Sequence, residues 1–349
     1  GVRNFLVQEQ IDLTQLPEGN FIRVPNVLEA FHVLAAHHRD NYTGKVVAII
    51  GSNGKTWVKE WLYMLMYRDL SVYRSPGSYN SQVGVPLSVW NIPLETSYAI
   101  IEAGISSPGE MIKLQKIIRP DIVVFTHFGD AHDEGFGGDI HAKLSEKLIM
   151  CADATSIVFP HDQPLVYDTI RKSFPDKFQF TWSMHGLGLI NGSAEKVGDV
   201  SNVTVQLEDK QYTYNLPFTG IVPVSNSLVC LTTFVALGIP IEGRLKAFED
   251  LQPIDMRLKA EDGIQGCVLI NDSYSLDLDS LQYALESLDI AGQTQQKTLI
   301  LSDHAYGRPG IYEDLARMIS GAGVDKLICI GKEVSALTHL LPSKIKTFA

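Results

Sequence analysis

The 349 residues are 45% hydrophobic and 20% charged, which excludes a disordered or collagen-like chain. With 29 Lys plus Arg against 40 Asp plus Glu, the formal net charge is −11, which argues against non-specific nucleic-acid binding. No apolar run approaches the ~20 residues that span a bilayer; the best stretch, Val229 to Ile241, is broken by Thr232, Thr233, Gly238 and Pro240.

At ~100–200 residues per domain the length predicts two or three domains. The first 43 residues are too few for a complete domain, and the chain opens on Gly1-Val2-Arg3 without a Met. Val46-Val47-Ala48-Ile49-Ile50 is a continuous apolar run ending at Gly51, the pattern of a strand buried on both faces of a parallel sheet. After the loop from Gly51 to Gly54, Trp57, Trp61, Met64 and Leu65 recur at helical spacing. Strands follow at Tyr98–Ala103, Asp121–Thr126 and Ser156–Pro160, with a helix near Ala142–Ala152. This alternation predicts a parallel α/β sheet.

Val203, Val205 and Leu207, then Tyr212, Tyr214 and Leu216, alternate around Glu208-Asp209-Lys210 and predict an antiparallel hairpin. Helices are expected near Asn226–Leu237 and Glu242–Leu251. A second series then runs strand Cys267–Asp272, helix Asp279–Leu288, strand Thr298–Ser302, helix Ile311–Ile319 and strand Lys326–Ile330. The turn from Pro253 to Met256 is the natural boundary before it. Cys151, Cys230, Cys267 and Cys329 form no C-x-x-C pair. They predict reduced thiols and a cytosolic protein, with Cys230 and Cys267 in the core.

Gly51-Ser52-Asn53-Gly54-Lys55-Thr56 lies between a strand and a helix, where backbone N–H groups and the helix N-terminus make a cradle for phosphate. Lys55 would neutralise β- and γ-phosphates and the Thr56 hydroxyl would ligate Mg²⁺. The usual G-x-x-x-x-G-K-[ST] pattern would need Gly at position 49, which is Ile, so the loop is the shorter G-x-x-G-K-T. A plain strand–helix turn carrying a surface lysine is the simpler alternative.

The short loop resembles the ATP-binding loop of the Mur ligase family, which builds the peptidoglycan stem peptide. Four stretches in the family's order extend the resemblance. Ser75 to Pro86 looks like its Asn-rich segment, with Asn80 and Gly84 standing and Ser78 and Ser81 in places often held by Asn. Glu102 in Ala99-Ile100-Ile101-Glu102-Ala103-Gly104 ends a strand and would hold Mg²⁺ beside the phosphates. His132 in Ala131-His132-Asp133-Glu134-Gly135-Phe136-Gly137-Gly138 corresponds to the His of a second Mg²⁺ site. In Ser145-Glu146-Lys147-Leu148-Ile149, Lys147 corresponds to a lysine that CO₂ carbamylates into an anionic metal ligand, with Lys143 one turn earlier as competitor.

Further on, Asn226 is similar to the base-facing Asn of an H-N-x-x-N stretch whose first two residues are here Val222 and Pro223. Met256-Arg257-Leu258 resembles a G-R-L turn, and Asn271-Asp272-Ser273-Tyr274-Ser275 resembles D-D-S-Y-N, so that Arg257, Asp272 and Tyr274 would face the nucleotide. Lys55-Thr56-Trp57-Val58-Lys59-Glu60, the stretch from His132 to Gly138, and Asp272-Ser273-Tyr274 look most like the branch that adds D-alanyl-D-alanine.

The resemblance implies an α/β fold in three parts. Residues 1–44 would be the remnant of a UDP-substrate domain. A P-loop parallel-sheet ATPase domain would cover 45–252, and a Rossmann-like ligase domain, incomplete here, 253–349. It implies ATP-dependent ligation of D-Ala-D-Ala to UDP-N-acetylmuramoyl-tripeptide, with ATP, two Mg²⁺ sites and a carbamylated lysine. It also raises the possibility of an alanine racemase fused beyond this chain. A folylpolyglutamate synthetase-type ligase and a non-catalytic ATP-binding module are the rival readings.

Overall fold

A computed structural model of the chain describes residues 2–8, 19–129, 133–274, 278–291, 295–303 and 310–348. Two short parallel strands, β1 (Asn4–Val7) and β2 (Asn20–Arg23), precede helix α1 (Val27–Asp40). Asn26 caps α1 by accepting the Glu29 N–H at 3.0 Å.

The middle of the chain then alternates strand and helix, as the apolar runs predict. In order come β3 (Lys45–Ile50), α2 (Lys55–Met66), β4 (Val72–Arg74), α3 (Gly84–Trp90), β5 (Tyr98–Glu102), α4 (Glu110–Ile118), β6 (Ile122–Phe125), α5 (Ile140–Leu148), β7 (Ser156–Pro160), α6 (Pro164–Ser173) and β8 (Phe178–Ser183). An antiparallel extension follows, β9 (Ile190–Val197), β10 (Val200–Leu207) and β11 (Lys210–Leu216), and then α7 (Ile221–Leu237).

All nine strands from β3 to β11 make one sheet in the order β11-β10-β9-β8-β7-β6-β3-β5-β4. It is parallel from β4 across to β9 and antiparallel over β9–β11. Alternate residues of β3 serve opposite faces. Val46, Ala48 and Ile50 join the core formed with α1, α3, α4, α5 and α6, while Val47 and Ile49 join the one formed with α2 and α7. The chain leaves β3 for β4 and β5 on one side and returns to β6 on the other. The crevice outside the carboxyl end of β3 is therefore the switch point where an open α/β sheet binds ligands.

The last part holds a two-stranded antiparallel pair, β12 (Lys259–Asp262) with β13 (Val268–Asn271). Helix α8 (Leu278–Ala291) follows, then β14 (Thr298–Ser302), α9 (Ile311–Gly321), β15 (Lys326–Ile330), α10 (Leu337–Leu340) and β16 (Lys346–Phe348). The strands β14, β15 and β16 pair in parallel over their own core of Leu301, Leu315, Ile319, Leu327 and Leu337.

Four expectations are corrected. The helix expected near Ala142–Ala152 starts at Ile140, where Asp139 accepts the His141 and Ala142 N–H groups, and breaks into a 3₁₀ turn over Ile149–Cys151. Helix α7 begins at Ile221, so Asn226 lies inside it instead of opening it. Pro223 is tolerated because it falls in the first turn, where its missing N–H has no intrahelical partner to lose. The helix expected over Glu242–Leu251 is only a 3₁₀ stretch, Leu245–Asp250. Cys267 is exposed, because it enters a two-stranded ribbon whose Val268 and Leu269 are also exposed.

Candidate active site

The loop Gly51–Gly54 turns the chain from β3 into α2, and two left-handed glycines shape it. Gly51 has φ +137° and Gly54, the residue capping α2, has φ +83°. A Cβ on Gly51 would collide with Thr126 Oγ1, and one on Gly54 would lie 2.7 Å from Asn226 Oδ1. The segment after β6 holds the loop. Ser52 N–H donates to His127 O at 2.6 Å, and Thr126 Oγ1 lies 2.6 Å from Asn53 O and 3.1 Å from Ile50 O.

Lys55 Nζ bends back over the loop, donating to Ser52 O at 2.7 Å and Gly51 O at 3.1 Å. Thr56 sits one residue into α2, and its hydroxyl donates to Glu102 Oε2 at 3.0 Å. Register explains the meeting, since Glu102 pairs with Ile49 and so ends β5 beside the loop. Asn80 Nδ2 donates to the other carboxylate oxygen at 2.7 Å. Ser78 Oγ lies 3.5 Å from Thr56 Oγ1. Thr56 and Glu102 are almost wholly buried, at 5% and 1% exposure. A hydroxyl and a carboxylate side by side form an all-oxygen donor set, which fits a hard dication such as Mg²⁺ that completes its shell with phosphate oxygens and water. Among the described residues no group of three or more His, Cys, Asp or Glu gathers as a metal site.

Residues from beyond the 253–256 turn reach the same place. Arg257 Nη2 donates to Thr56 Oγ1 at 3.2 Å, and its guanidinium lies 4.0 Å over the Tyr274 ring. Met256 and Leu258 on either side take φ +57° and +52°. That backbone is uncommon for side chains of this size, and two bonds hold it. Leu258 N–H donates to Asp272 Oδ1 at 3.1 Å and Tyr274 N–H to Met256 O at 3.3 Å. Asp272 thus orders the turn that aims Arg257. The left-handed backbone at Met256 also explains why glycine suits that place in a G-R-L turn.

Asn226 lies 5% exposed beside Gly54, and among the described residues its Nδ2 has no hydrogen-bond partner. A buried orphan donor is what a bound polar group would satisfy. From α5, Lys147 Nζ donates to Gly51 O at 3.1 Å, whereas Lys143 Nζ donates to Gly129 O and lies 4.8 Å over the Phe128 ring. Both lysines are 1% exposed. Lys147 therefore meets the phosphate loop, and Lys143 the segment after β6. His132 and Ser275 lie outside the described residues.

The structure adds residues that motif reading left without a role. Lys59 is completely buried with its ammonium 3.7 Å from Glu102 Oε2. Its signal was present, because it follows Thr56 by three positions and so shares a helix face with it. Gln163 clamps the segment after β6 through His127 Nδ1 at 3.0 Å, Phe128 O and Phe128 N–H. No local pattern marks it.

Residues 49–234 match the family model described as the Mur ligase middle domain. The UDP-N-acetylmuramoyl-tripeptide–D-alanyl-D-alanine ligase of Bacillus subtilis is 26% identical over 317 residues, spanning 89% of this chain and 68% of that protein. A crystal structure of MurF from Acinetobacter baumannii superposes with a TM-score of 0.86 at 23% identity, covering 98% of this chain and 75% of that one. The structure of MurF from Thermotoga maritima in complex with ADP superposes with a TM-score of 0.84 at 21% identity, covering 100% and 86%. At these identities the superpositions establish a shared three-part α/β fold.

Proposed function

Because the chain belongs to the Mur ligase family, we propose that it joins D-alanyl-D-alanine to UDP-N-acetylmuramoyl-tripeptide, cleaving ATP to ADP and phosphate. The observation that carries this reading is the meeting of Thr56 and Glu102 beside the glycine loop, with Arg257 arriving from the last part of the chain. It supports a nucleotide held between two parts of the protein, with the reacting phosphate at their junction.

In the proposed reaction the tripeptide carboxylate attacks the γ-phosphorus, the bond to ADP breaks and an acyl phosphate forms. The D-Ala-D-Ala amine then attacks that carbonyl, losing a proton as phosphate leaves. The protein positions the reactants and neutralises charge. Gly51, Ser52, Asn53 and Gly54 would cradle the phosphates, and Lys55 would turn from its carbonyl partners to the β- and γ-oxygens. Thr56 and Glu102 would hold Mg²⁺, which would offset charge on the transferred phosphoryl group. Asn80 keeps Glu102 aimed, Asn226 would give its amide N–H to the nucleotide, and Arg257, set by Asp272 and stacked on Tyr274, would cover the phosphates and exclude water.

We assign a second Mg²⁺ to His132 and to a carbamate on Lys147. The carbamate forms when the neutral amine adds CO₂ and releases a proton, which exchanges a buried cation for an oxygen ligand. We assign residues 1–44 to the UDP-substrate domain, 45–252 to the ATP-binding domain and 253–349 to the ligase domain. A cytosolic setting fits the four unpaired thiols and the absence, among the described residues, of any helix long and apolar enough to cross a membrane.

Phosphate release with ATP, Mg²⁺, UDP-N-acetylmuramoyl-tripeptide and D-Ala-D-Ala tests the reading, each substrate being omitted in turn. Release that requires both acceptors is expected. ADP bound without release under any combination would refute a ligase and favour a nucleotide-binding module. Release with a folate and glutamate would move the acceptor to the folylpolyglutamate class.

A further inference from the structure

We propose that Lys59 is a positioning residue for the metal–nucleotide site, holding the Glu102 carboxylate and the Gly77–Asn80 segment in the arrangement that receives the metal. The proposal rests on the reading of Glu102 as a Mg²⁺ ligand.

Lys59 has 0% exposure, and its ammonium lies where three elements meet. It is 3.7 Å from Glu102 Oε2 at the end of β5 and 3.2 Å from Glu60 Oε1 on its own helix, and it donates to Gly77 O in the segment after β4. That segment supplies the other polar groups around Glu102. Ser75 Oγ accepts the Glu102 N–H at 3.2 Å, Asn80 Nδ2 donates to Oε1, and Ser78 approaches Thr56. Glu60 is fixed from behind by Arg74 Nε at 2.6 Å, with the Arg74 guanidinium 3.7 Å over the Tyr63 ring. Two cations and two carboxylates thus balance inside the fold.

A buried ion pair is a poor source of stability, because desolvation consumes most of the Coulombic gain and an apolar pair of equal volume often does as well. Position is a better account of this one. Among the described residues, Lys59 is the cation paired with Glu102. Its bond to Gly77 ties that pair to the segment carrying Asn80 and Ser78. Without the ammonium, Glu102 keeps among the described residues the neutral donors Asn80 and Thr56, and Thr56 is the group that must itself turn to the metal. The carboxylate then loses its fixed aim. Residues that orient metal ligands in this way commonly change metal affinity by about 10–100-fold when replaced.

The test measures Mn²⁺ binding by electron paramagnetic resonance in the presence of ADP, with melting temperature recorded for each variant. Lys59→Met should weaken Mn²⁺ binding about tenfold while the fold persists. Glu102→Gln alone should weaken it at least as much, and Lys59→Met added to Glu102→Gln should cost less than about twofold more, because residues acting as one unit are not additive. Equal losses in both backgrounds, or none in the first, would overturn the proposal. If Lys59→Met does not fold, Lys59→Gln replaces it; failure of both to fold would assign Lys59 to the scaffold and overturn the proposal. No effect of Glu102→Gln would instead refute the metal role of Glu102, a result separable from the behaviour of Lys59.

Discussion

Replacing Gly51 by alanine puts the geometry of the phosphate loop at risk in a calculable way. At φ +137° a side chain is strained wherever it points, and such a residue costs about 1–3 kcal/mol. The new methyl would also run into Thr126 Oγ1 and sit 3.0 Å from His127 O. Moving Thr126 aside loses its hydroxyl bond to Asn53 O or Ile50 O, worth about 0.5–1.5 kcal/mol, since Ile50 O still accepts the Thr126 backbone N–H at 2.9 Å. The sum is about 1.5–4.5 kcal/mol, and at about 2–4 °C per kcal/mol for a unit near 200 residues the melting temperature should fall by about 3–18 °C. ADP affinity, read by calorimetry, should fall more than about tenfold, because the displaced backbone N–H groups are the proposed phosphate donors. Adding Thr126→Ala should recover part of the loss, with a favourable coupling of about 1 kcal/mol. The strain and the His127 contact should keep the double variant below wild type. A Gly51→Ala protein that melts like wild type and binds ADP as tightly would refute this account of the loop.

Other expectations follow from the same contacts. Arg257→Ala removes the bond to Thr56 and the stack on Tyr274 without emptying a core, so kcat/KM for ATP should fall about 10–100-fold while the melting temperature changes little. An unchanged kcat/KM would show that closure does not use Arg257. Lys147→Ala should reduce phosphate release at least about 100-fold, with formate restoring a fraction, while Lys143→Ala should show no such rescue; rescue confined to Lys143→Ala would exchange the two roles. Stability should fall in alkali, because burial pushes the Cys151 thiol up from 9.0 to about 12 and the Tyr73 phenol up from 10.0 to about 12. These groups stay protonated in the fold while the unfolded chain releases its protons. Stability is therefore full below about pH 9 and declines toward pH 12, at up to about 1.4 kcal/mol per pH unit from Cys151, with a smaller further decline from the half-buried Tyr73 above pH 10. Urea unfolding at pH 9, 10 and 11 should show a shallower decline for Cys151→Ala, and an identical decline would remove Cys151 from the explanation.

What could be read in advance was what short-range patterns encode. The apolar run Val46–Ile50 and the glycines after it are local signals, and they announced β3, the loop and α2. The hairpin of β10 and β11 was equally visible, because period-two alternation around a charged turn has few other readings. Its partner β9 was not, since Asn191, Gly192, Ser193, Glu195 and Lys196 carry little apolar signal and the strand is defined by pairing with β8 and β10. Cys267 misled for the converse reason. An apolar run implies burial only if something covers it, and the β12–β13 ribbon leaves Val268 and Leu269 uncovered. At the site, Glu102 and Asn80 were legible as members of a resembling motif, whereas Gln163 was not. Its contacts to His127 and Phe128 join residues 35 and 36 positions away, and no single window of sequence contains both partners.

The cations around the loop already occupy oxygen partners, and that bears on how a nucleotide would be received. Lys55 donates to Gly51 O and Ser52 O, Lys147 to Gly51 O, and Arg257 to Thr56 Oγ1. All of these acceptors are neutral. Phosphate oxygens are charged acceptors, and bonds from a cation to them are shorter and roughly twice as strong. At these contacts binding would exchange neutral partners for charged ones with the donors already within reach, so little side-chain ordering remains to oppose it. Gly51 O would give up two lysines at once. Arg257 would leave Thr56 and free its hydroxyl for the metal. The contact that brings the last part of the chain to the loop before nucleotide arrives is thus the one the nucleotide must replace. On this account Arg257→Ala should weaken ADP less than it weakens turnover, since part of what Arg257 gains from phosphate it loses at Thr56. Calorimetric ADP affinity set beside kcat/KM for ATP measures that difference, and equal losses in both would refute the exchange.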